Sequence, residues 1–295
     1  MFKKLEKLPD LLKVPPGKEI SLSKDYETKL KLGGLDKQEA KRLLQEGIPV
    51  LAEFQDKLYA QNNYALLIIL QALDAAGKDG TIKHVMSGLN PQGCQVTSFK
   101  APSSEELDHD YLWRCFRKLP ARGDIGIFNR SYYEEVLITR VHPEILDRQQ
   151  LPEDLKGKNI WKRRFEEINN FEKYLVHNGI IVLKFFLYVS KGEQKKRFLE
   201  RLDLPNKNWK FSSSDAKERA SWNDYISAYE DCFNHTSTKW APWYVIPADY
   251  KPLARIAVAY IIGATLKSLD LKYPTVTQAQ KQQLVEARSI LEHEK

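Results

Sequence analysis

Hydrophobic residues fall along this chain in short runs of strand length, separated by longer stretches with helical spacing. Residues 64–73 form one such run, followed by a loop holding Gly77 and Gly80 and by a helical pattern after Thr81. Residues 94–99, 125–128, 180–189 and 243–246 predict further strands, and the run at 180–189 is interrupted by Lys184. Between them, Trp161, Phe165, Ile168, Phe171 and Leu175 stripe one helix, and Ser103 with Glu106 caps another. Ahead of the first strand, Asp36 and Glu39 look like a capping box, and Ala40, Leu43, Leu44, Leu51, Phe54 and Leu58 follow at helical spacing. Pro49 predicts a kink or a split in that helix. Apolar strands alternating with helices predict an α/β fold, a doubly wound parallel sheet of about five strands covered on both faces.

The same pattern divides the chain. Residues 1–35 carry Pro9, Pro15, Pro16 and the Gly33-Gly34 pair without periodicity and read as an extended N-terminal arm, free to pack or to touch ligand. Residues 36–272 read as one catalytic domain. Within it, residues 203–221 form a basic, turn-rich insertion between two helices, as a lid over a charged ligand at about 195–225 would look. Residues 273–295 read as a C-terminal helix. A chain of 295 residues with 42% hydrophobic content can bury a substantial core.

Charge adds a partner class: 46 Lys plus Arg against 39 Asp plus Glu give +7, which favours an anion, although a bland basic surface fits the balance equally. Nucleic acid, an acidic membrane surface and a phosphate polymer all satisfy it. Cys94, Cys115 and Cys232 have no paired spacing, which argues against a disulfide framework and a zinc cluster and for a reducing compartment. No signal-peptide pattern and no run of membrane-span length is present, so a cytoplasmic protein is expected.

The candidate chemistry lies in Asp74-Ala75-Ala76-Gly77-Lys78-Asp79-Gly80-Thr81, between a buried strand and a helix, where backbone N–H groups and the helix dipole converge on an anion. The generic phosphate-loop pattern matches in part: Ala72 stands where its first Gly belongs, and Asp79 follows the lysine in place of Ser or Thr. Lys78 places a cation on phosphate oxygens, whereas Asp74 repels them unless a magnesium ion lies between. Asp79 reads more simply as a helix-start residue. A second cluster, Phe128-Asn129-Arg130-Ser131-Tyr132-Tyr133-Glu134-Glu135 followed by Arg140, falls at the carboxyl end of a predicted strand, the edge where open α/β sheets bind ligands. There Arg130 can neutralise a transferring phosphoryl group, and Glu134 or Glu135 can accept from a nucleotide or support the metal; an ordinary acidic helix start reads the same way. His84 and His142 lack partners at metal-ligand spacing, and Trp209, Trp222, Trp240 and Trp243 read as packing.

These two motifs resemble the phosphate motifs of the polyphosphate kinase 2 family, and Arg197, Arg201, Pro205, Lys207, Trp209, Lys210, Ser213, Asp215, Trp222 and Tyr225 fall as they do in that family's lid and the helix after it. The resemblance runs from about residue 35 to 270. It implies a P-loop kinase-like fold similar to thymidylate kinase, and magnesium-dependent transfer from inorganic polyphosphate to AMP and/or ADP, with manganese as an alternative ion and guanine nucleotides as alternative acceptors. It implies a homo-oligomer, without nucleic-acid or membrane partners. By position, Asp74 resembles the metal-coordinating acid, Lys78 the loop lysine and Arg130 the arginine of the second motif. Ala75, Ala76, Gly77, Asp79, Gly80, Thr81, Lys83, Arg197 and Arg201 are expected on phosphates, and Asn129, Glu134 and Arg140 on the nucleotide. Two positions carry more information: many relatives have Asp in place of Asn129, and Glu134 resembles the AMP-accepting subgroup, where users of nucleoside diphosphates often have Asn. Two competing readings remain, an ATP-dependent nucleoside monophosphate kinase and a non-catalytic basic module for polyphosphate or RNA.

Overall fold

Seven consecutive residues, Ala65–Gln71, are buried without exception and form β1, the middle strand of a five-stranded sheet. β2 (Cys94–Ser98), β3 (Ile125–Asn129), β4 (Ile180–Tyr188) and β5 (Trp243–Pro247) complete it in the order β2-β3-β1-β4-β5, with every pairing parallel. All the strand runs expected from the sequence are present. This is the computed structural model of the chain, describing residues 5–29, 35–210 and 212–294; the side chains of Lys210, Ser213, Ser214 and Asp215, and the Gly33-Gly34 pair, lie outside that description.

Helices cover both faces. They include α1 (Lys37–Gln61), α2 (Lys78–Val85), α3 (Glu134–Val141), α4 (Ile160–His177), α5 (Lys191–Asp203), α6 (Trp222–Thr236), α7 (Lys251–Ser268) and α8 (Gln278–Glu292). Side chains alternate across β1, so Leu66, Ile68 and Leu70 join the core beneath α1 and α7, while Leu67 and Ile69 join the one beneath α3, α4 and α6. Each such side chain contributes roughly 1.5–3 kcal/mol through burial.

Asp36 caps α1 by accepting from Glu39 N at 2.8 Å, but the Glu39 carboxylate turns to Arg42, so the capping box is half formed. Pro49 does not split α1. It is exposed, as is Gln45, so water can reach the carbonyl that the proline leaves unbonded. Residues 5–29 include the short helices Leu8–Leu12 and Leu22–Asp25, and Leu5, Leu8, Leu12, Val14 and Leu22 are buried. Val14 N donates to Trp243 O at 2.8 Å and Lys13 bridges Tyr244, so this arm covers the β5 edge of the sheet. The segment expected to form a lid is built from turns of helix, Pro205–Lys210, Ser213–Glu218 and Arg219–Ser221. No helix among the described residues is long and apolar enough to cross a membrane.

The chain leaves β1 to one side for β2 and β3 and crosses to the other for β4 and β5. β1 is therefore the switch position, and the loops after β1 and β3 meet at its carboxyl end.

Candidate active site

Beyond Gln71 the chain turns sharply into α2, with Ala75 at φ 61° and Gly77 at φ 111°. Gly77 occupies the N-cap of α2, in a conformation that side chains strain to adopt. The turn leaves the first N–H groups of α2 facing the cleft described below, where an anion is favoured. Other elements brace it from behind. Gln194 Nε2 donates to Asp74 O at 3.0 Å, and Lys78 Nζ donates to Ala72 O at 2.9 Å.

Arg197, at the wall of the cleft, braces the loop most strongly. Its Nη1 donates to Ala75 O at 3.0 Å and Ala76 O at 2.8 Å, its Nη2 to Ala248 O at 2.6 Å and Asp249 O at 3.1 Å, and its Nε to Glu193 Oε1 at 2.9 Å. All the donors of the guanidinium are engaged by protein and the side chain is 4% exposed. Arg197 is the strut beneath the loop, and a phosphate would have to displace backbone carbonyls to reach it. Arg201, one turn on, lines the cleft as well.

Arg130 follows β3 in a left-handed conformation, φ 67°, with its N–H donating to Leu70 O at 3.0 Å. Its Nη2 meets Asp74 Oδ1 at 2.9 Å and its Nη1 lies 3.5 Å from Glu134 Oε2. Glu134 is held from the other side by Gln71 Nε2, which donates to Oε1 at 2.8 Å. The Glu134 carboxylate keeps Arg130 firmly charged, against the cost of burial and with help from Asp74. Lys78 behaves differently: burial, and then repulsion by Arg130, pull its ammonium down to about 8 despite the neighbouring carboxylates.

Two cavities meet at Asp74 and Arg130. The larger, about 1060 Å³, runs over residues 74–81 and is lined further out by Lys100, Arg201, Lys207, Lys251 and Arg255. The smaller, about 250 Å³, is walled by Glu134, Leu137, Gln194, Glu218, Arg219 and the aromatic side chains Trp222, Tyr225 and Tyr229. One is basic and open; the other is mixed and aromatic. A further cavity of about 510 Å³, around Tyr111, Arg164 and Glu167, is lined by Glu135, the sequence's alternative to Glu134, and by no other candidate site residue.

Of the predicted residues, Asp74 through Thr81, Asn129, Arg130, Arg197 and Arg201 line the larger cavity, Asp74 and Arg130 line the smaller as well, and Glu134 lines only the smaller. Asn129, expected on the nucleotide, lines the larger cavity, and its Nδ2 donates to Asp79 Oδ1 at 2.9 Å. Lys83 is exposed on α2 and does not reach the cleft. Arg140 is also displaced from its expected place: it closes the last turn of α3 with an ion pair to Asp231 on α6. Lys251 and Arg255 were missed. Their signal was a Lys and an Arg four apart at the start of a helix just after a strand, on the ligand-binding edge. Trp222, read as packing, lines the smaller cavity.

No group of three or more His, Cys, Asp or Glu converges among the described residues. A magnesium ion needs only one or two carboxylates and completes its shell with waters and phosphate oxygens. Asp74, 37% exposed and paired with Arg130 through Oδ1, stands where the two cavities meet and fits such a role.

Comparison with known proteins places this geometry in context. Residues 34–274 match the family model described as Polyphosphate kinase 2. An ADP-polyphosphate phosphotransferase of Rhodopseudomonas palustris is 50% identical over 280 residues, covering 95% of this chain and 96% of its own length. An AMP/ADP-polyphosphate phosphotransferase of Meiothermus ruber is 42% identical over 236 residues, covering 80% of this chain and 84% of its own. The crystal structure of polyphosphate kinase 2 from Arthrobacter aurescens superposes with a TM-score of 0.86 at 40% identity, over 96% of this chain and 98% of that one.

Proposed function

The chain belongs to the polyphosphate kinase 2 family, and we propose from this that it moves phosphoryl groups from inorganic polyphosphate to AMP and ADP, the polymer lying in the basic cleft and the nucleotide in the aromatic pocket. The observation that carries the assignment of the two cavities is their junction. Asp74 and Arg130 are the residues that line both, so a terminal phosphate from one side and an acceptor phosphate from the other would meet at an ion pair 2.9 Å long.

Phosphoryl transfer asks a protein for alignment and charge neutralisation more than for covalent chemistry. Arg130, forked between Asp74 and Glu134, is placed to turn onto the equatorial oxygens of the group in flight. Lys78 spends one N–H on Ala72 O, which leaves two for phosphate. The N–H groups at the start of α2 receive the polymer, and the cations of the outer cleft hold its length. Magnesium held by Asp74 would neutralise charge between phosphates there. The acceptor phosphate attacks in line, and no covalent enzyme intermediate is required.

AMP is the first acceptor in this reading because Glu134, fixed by Gln71 and Arg130, faces the aromatic pocket with a negative charge that leaves less room for a second acceptor phosphate. Purified protein with magnesium, long-chain polyphosphate and AMP should yield ADP and then ATP, and ATP offered as sole donor should not replace the polymer. Glu134→Asn should shift the ratio of kcat/KM values from AMP toward ADP by about tenfold. AMP inert beside reactive ADP removes the argument from Glu134; ATP active where polyphosphate is inert turns the reading to a nucleotide kinase.

The depressed Lys78 ammonium gives a pH signature. Above about 8 the free enzyme loses that proton, so kcat/KM for polyphosphate should fall with a descending limb near that pH. Bound polyanion favours the charged form, so the limb in kcat should lie at higher pH. Lys78→Arg should lack the limb at whatever activity it retains. An identical limb in that variant would assign the titration elsewhere.

A further inference from the structure

Lys184 interrupts the apolar run of β4 and has no task in phosphoryl transfer as set out above, yet it is completely buried. Its Nζ donates to Glu172 Oε2 at 2.6 Å, to the Tyr133 hydroxyl at 2.8 Å and to Thr236 O at 2.7 Å, a full set of acceptors for an ammonium. The Tyr133 hydroxyl donates onward to Glu172 Oε1 at 2.8 Å, and the Tyr132 hydroxyl donates to the same oxygen at 2.9 Å. Tyr132, Tyr133, Glu172 and Lys184 are all 0% exposed. Buried ion pairs can often be replaced by apolar residues without loss of stability, so what this one fixes in place matters more than what it adds.

It is tied to the segment that carries Arg130. The left-handed backbone of Arg130 is disfavoured for a side-chain-bearing residue and persists where its surroundings over-determine it. On the N-terminal side, the β-sheet holds it through Leu70 O. On the C-terminal side, Ser131 Oγ accepts from Tyr133 N at 3.2 Å, and the next two rings are pinned to Glu172 on α4 and Lys184 on β4. Tyr133 is also the N-cap of α3, so the same pin seats Glu134. Thr236, the third acceptor of Lys184, is the last residue of α6, whose earlier turns bring Trp222, Tyr225 and Tyr229 to the smaller cavity.

We propose that Lys184, Glu172 and the hydroxyls of Tyr132 and Tyr133 form a buried positioning unit for phosphoryl transfer, one that holds Arg130 in its left-handed conformation and aims its guanidinium at Asp74. The inference rests on the transfer reading above. None of the four touches the reacting groups; they act through Arg130 and Glu134.

Two variants test it. Tyr132→Phe with Tyr133→Phe removes the pins and keeps the ion pair; Lys184→Met with Glu172→Leu removes the pair and keeps the volume apolar. With the folded fraction measured by circular dichroism at the assay temperature, kcat per folded molecule should fall about 10- to 100-fold, the penalty of a misplaced group, while KM for polyphosphate and for nucleotide stays within about threefold. A purely structural role would lower the folded fraction and leave kcat per folded molecule unchanged. Crystal structures of the variants supply a readout without turnover: the Arg130 to Asp74 ion pair should be lost and Arg130 should leave the left-handed region. Wild-type kcat per folded molecule, or an unmoved Arg130, in the tyrosine double variant overturns the proposal, and that variant decides should the other not fold. Wild-type protein inert toward polyphosphate would sink the functional reading alone, because the crystallographic comparison still answers this one.

Discussion

Asp74→Asn should abolish transfer, with kcat falling by about 10³-fold or more, while the protein melts within a few degrees of wild type. The stability side follows from geometry. Asp74 is 37% exposed and its ion-pair partner is Arg130, itself 35% exposed, so the pair adds at most about 1 kcal/mol, and the amide oxygen of Asn can still accept from Arg130. The activity side follows from charge. Asp74 is the carboxylate where both cavities meet, and Asn cannot supply a negative charge to a magnesium ion there. A second consequence separates this from general damage: removing a negative charge from a basic cleft should leave polyphosphate binding unchanged or tighter, so kcat collapses while KM for the polymer does not rise. Any residual rate should need more magnesium for half-saturation. Turnover at the wild-type level would strip Asp74 of its metal role.

Of the four non-glycine residues with positive φ among the described residues, Asn62, Ala75, Arg130 and Asp270, two lie where that prediction acts. Ala75, Gly77 and Arg130 have φ values of 61°, 111° and 67°, and they flank Asp74 and Lys78 on two loops that the sheet brings together. Non-glycine residues in this region cost of order 1–3 kcal/mol each, and they are held here by Arg197 and Gln194 beneath the loop and by the buried tyrosines beside Arg130.

The sheet was legible because four of its strands, all but the polar edge strand β2, are short, largely apolar runs bounded by turn residues, a signal that lies within a few neighbouring positions. The phosphate loop was legible for the same reason: strand, glycine turn and helix are contiguous. Arg140 was misread and the bracing role of Arg197 was missed because spacing along a helix says which face a side chain occupies and nothing about what stands opposite. For Arg197 the opposing groups are carbonyls of Ala75, Ala76, Ala248 and Asp249, all remote in sequence, and a backbone carbonyl leaves no trace in a residue code. Lys184 was visible as an anomaly in an apolar strand, but its meaning depends on Glu172, Tyr133 and Thr236 arriving from three other elements.

Arg130→Ala should lower kcat by about 10³-fold, the lower end of the range for an arginine that neutralises a transferring phosphoryl group. Arg130→Lys should recover little of it. The native guanidinium spans two carboxylates at once, Nη2 on Asp74 and Nη1 toward Glu134, and an ammonium offers a single charged centre in place of that planar fork. The alanine variant also leaves Asp74 and Glu134 facing the cleft without the cation between them. The two carboxylates then repel incoming phosphates, so KM for AMP should rise alongside the loss of kcat, unlike the pattern expected for Asp74→Asn. Raising the magnesium concentration should restore part of the affinity by screening those charges and little of the rate, because the missing interaction belongs to the group in flight. A lysine variant within tenfold of wild type would mean that charge alone suffices at this position, and the left-handed backbone of Arg130 would then need another explanation.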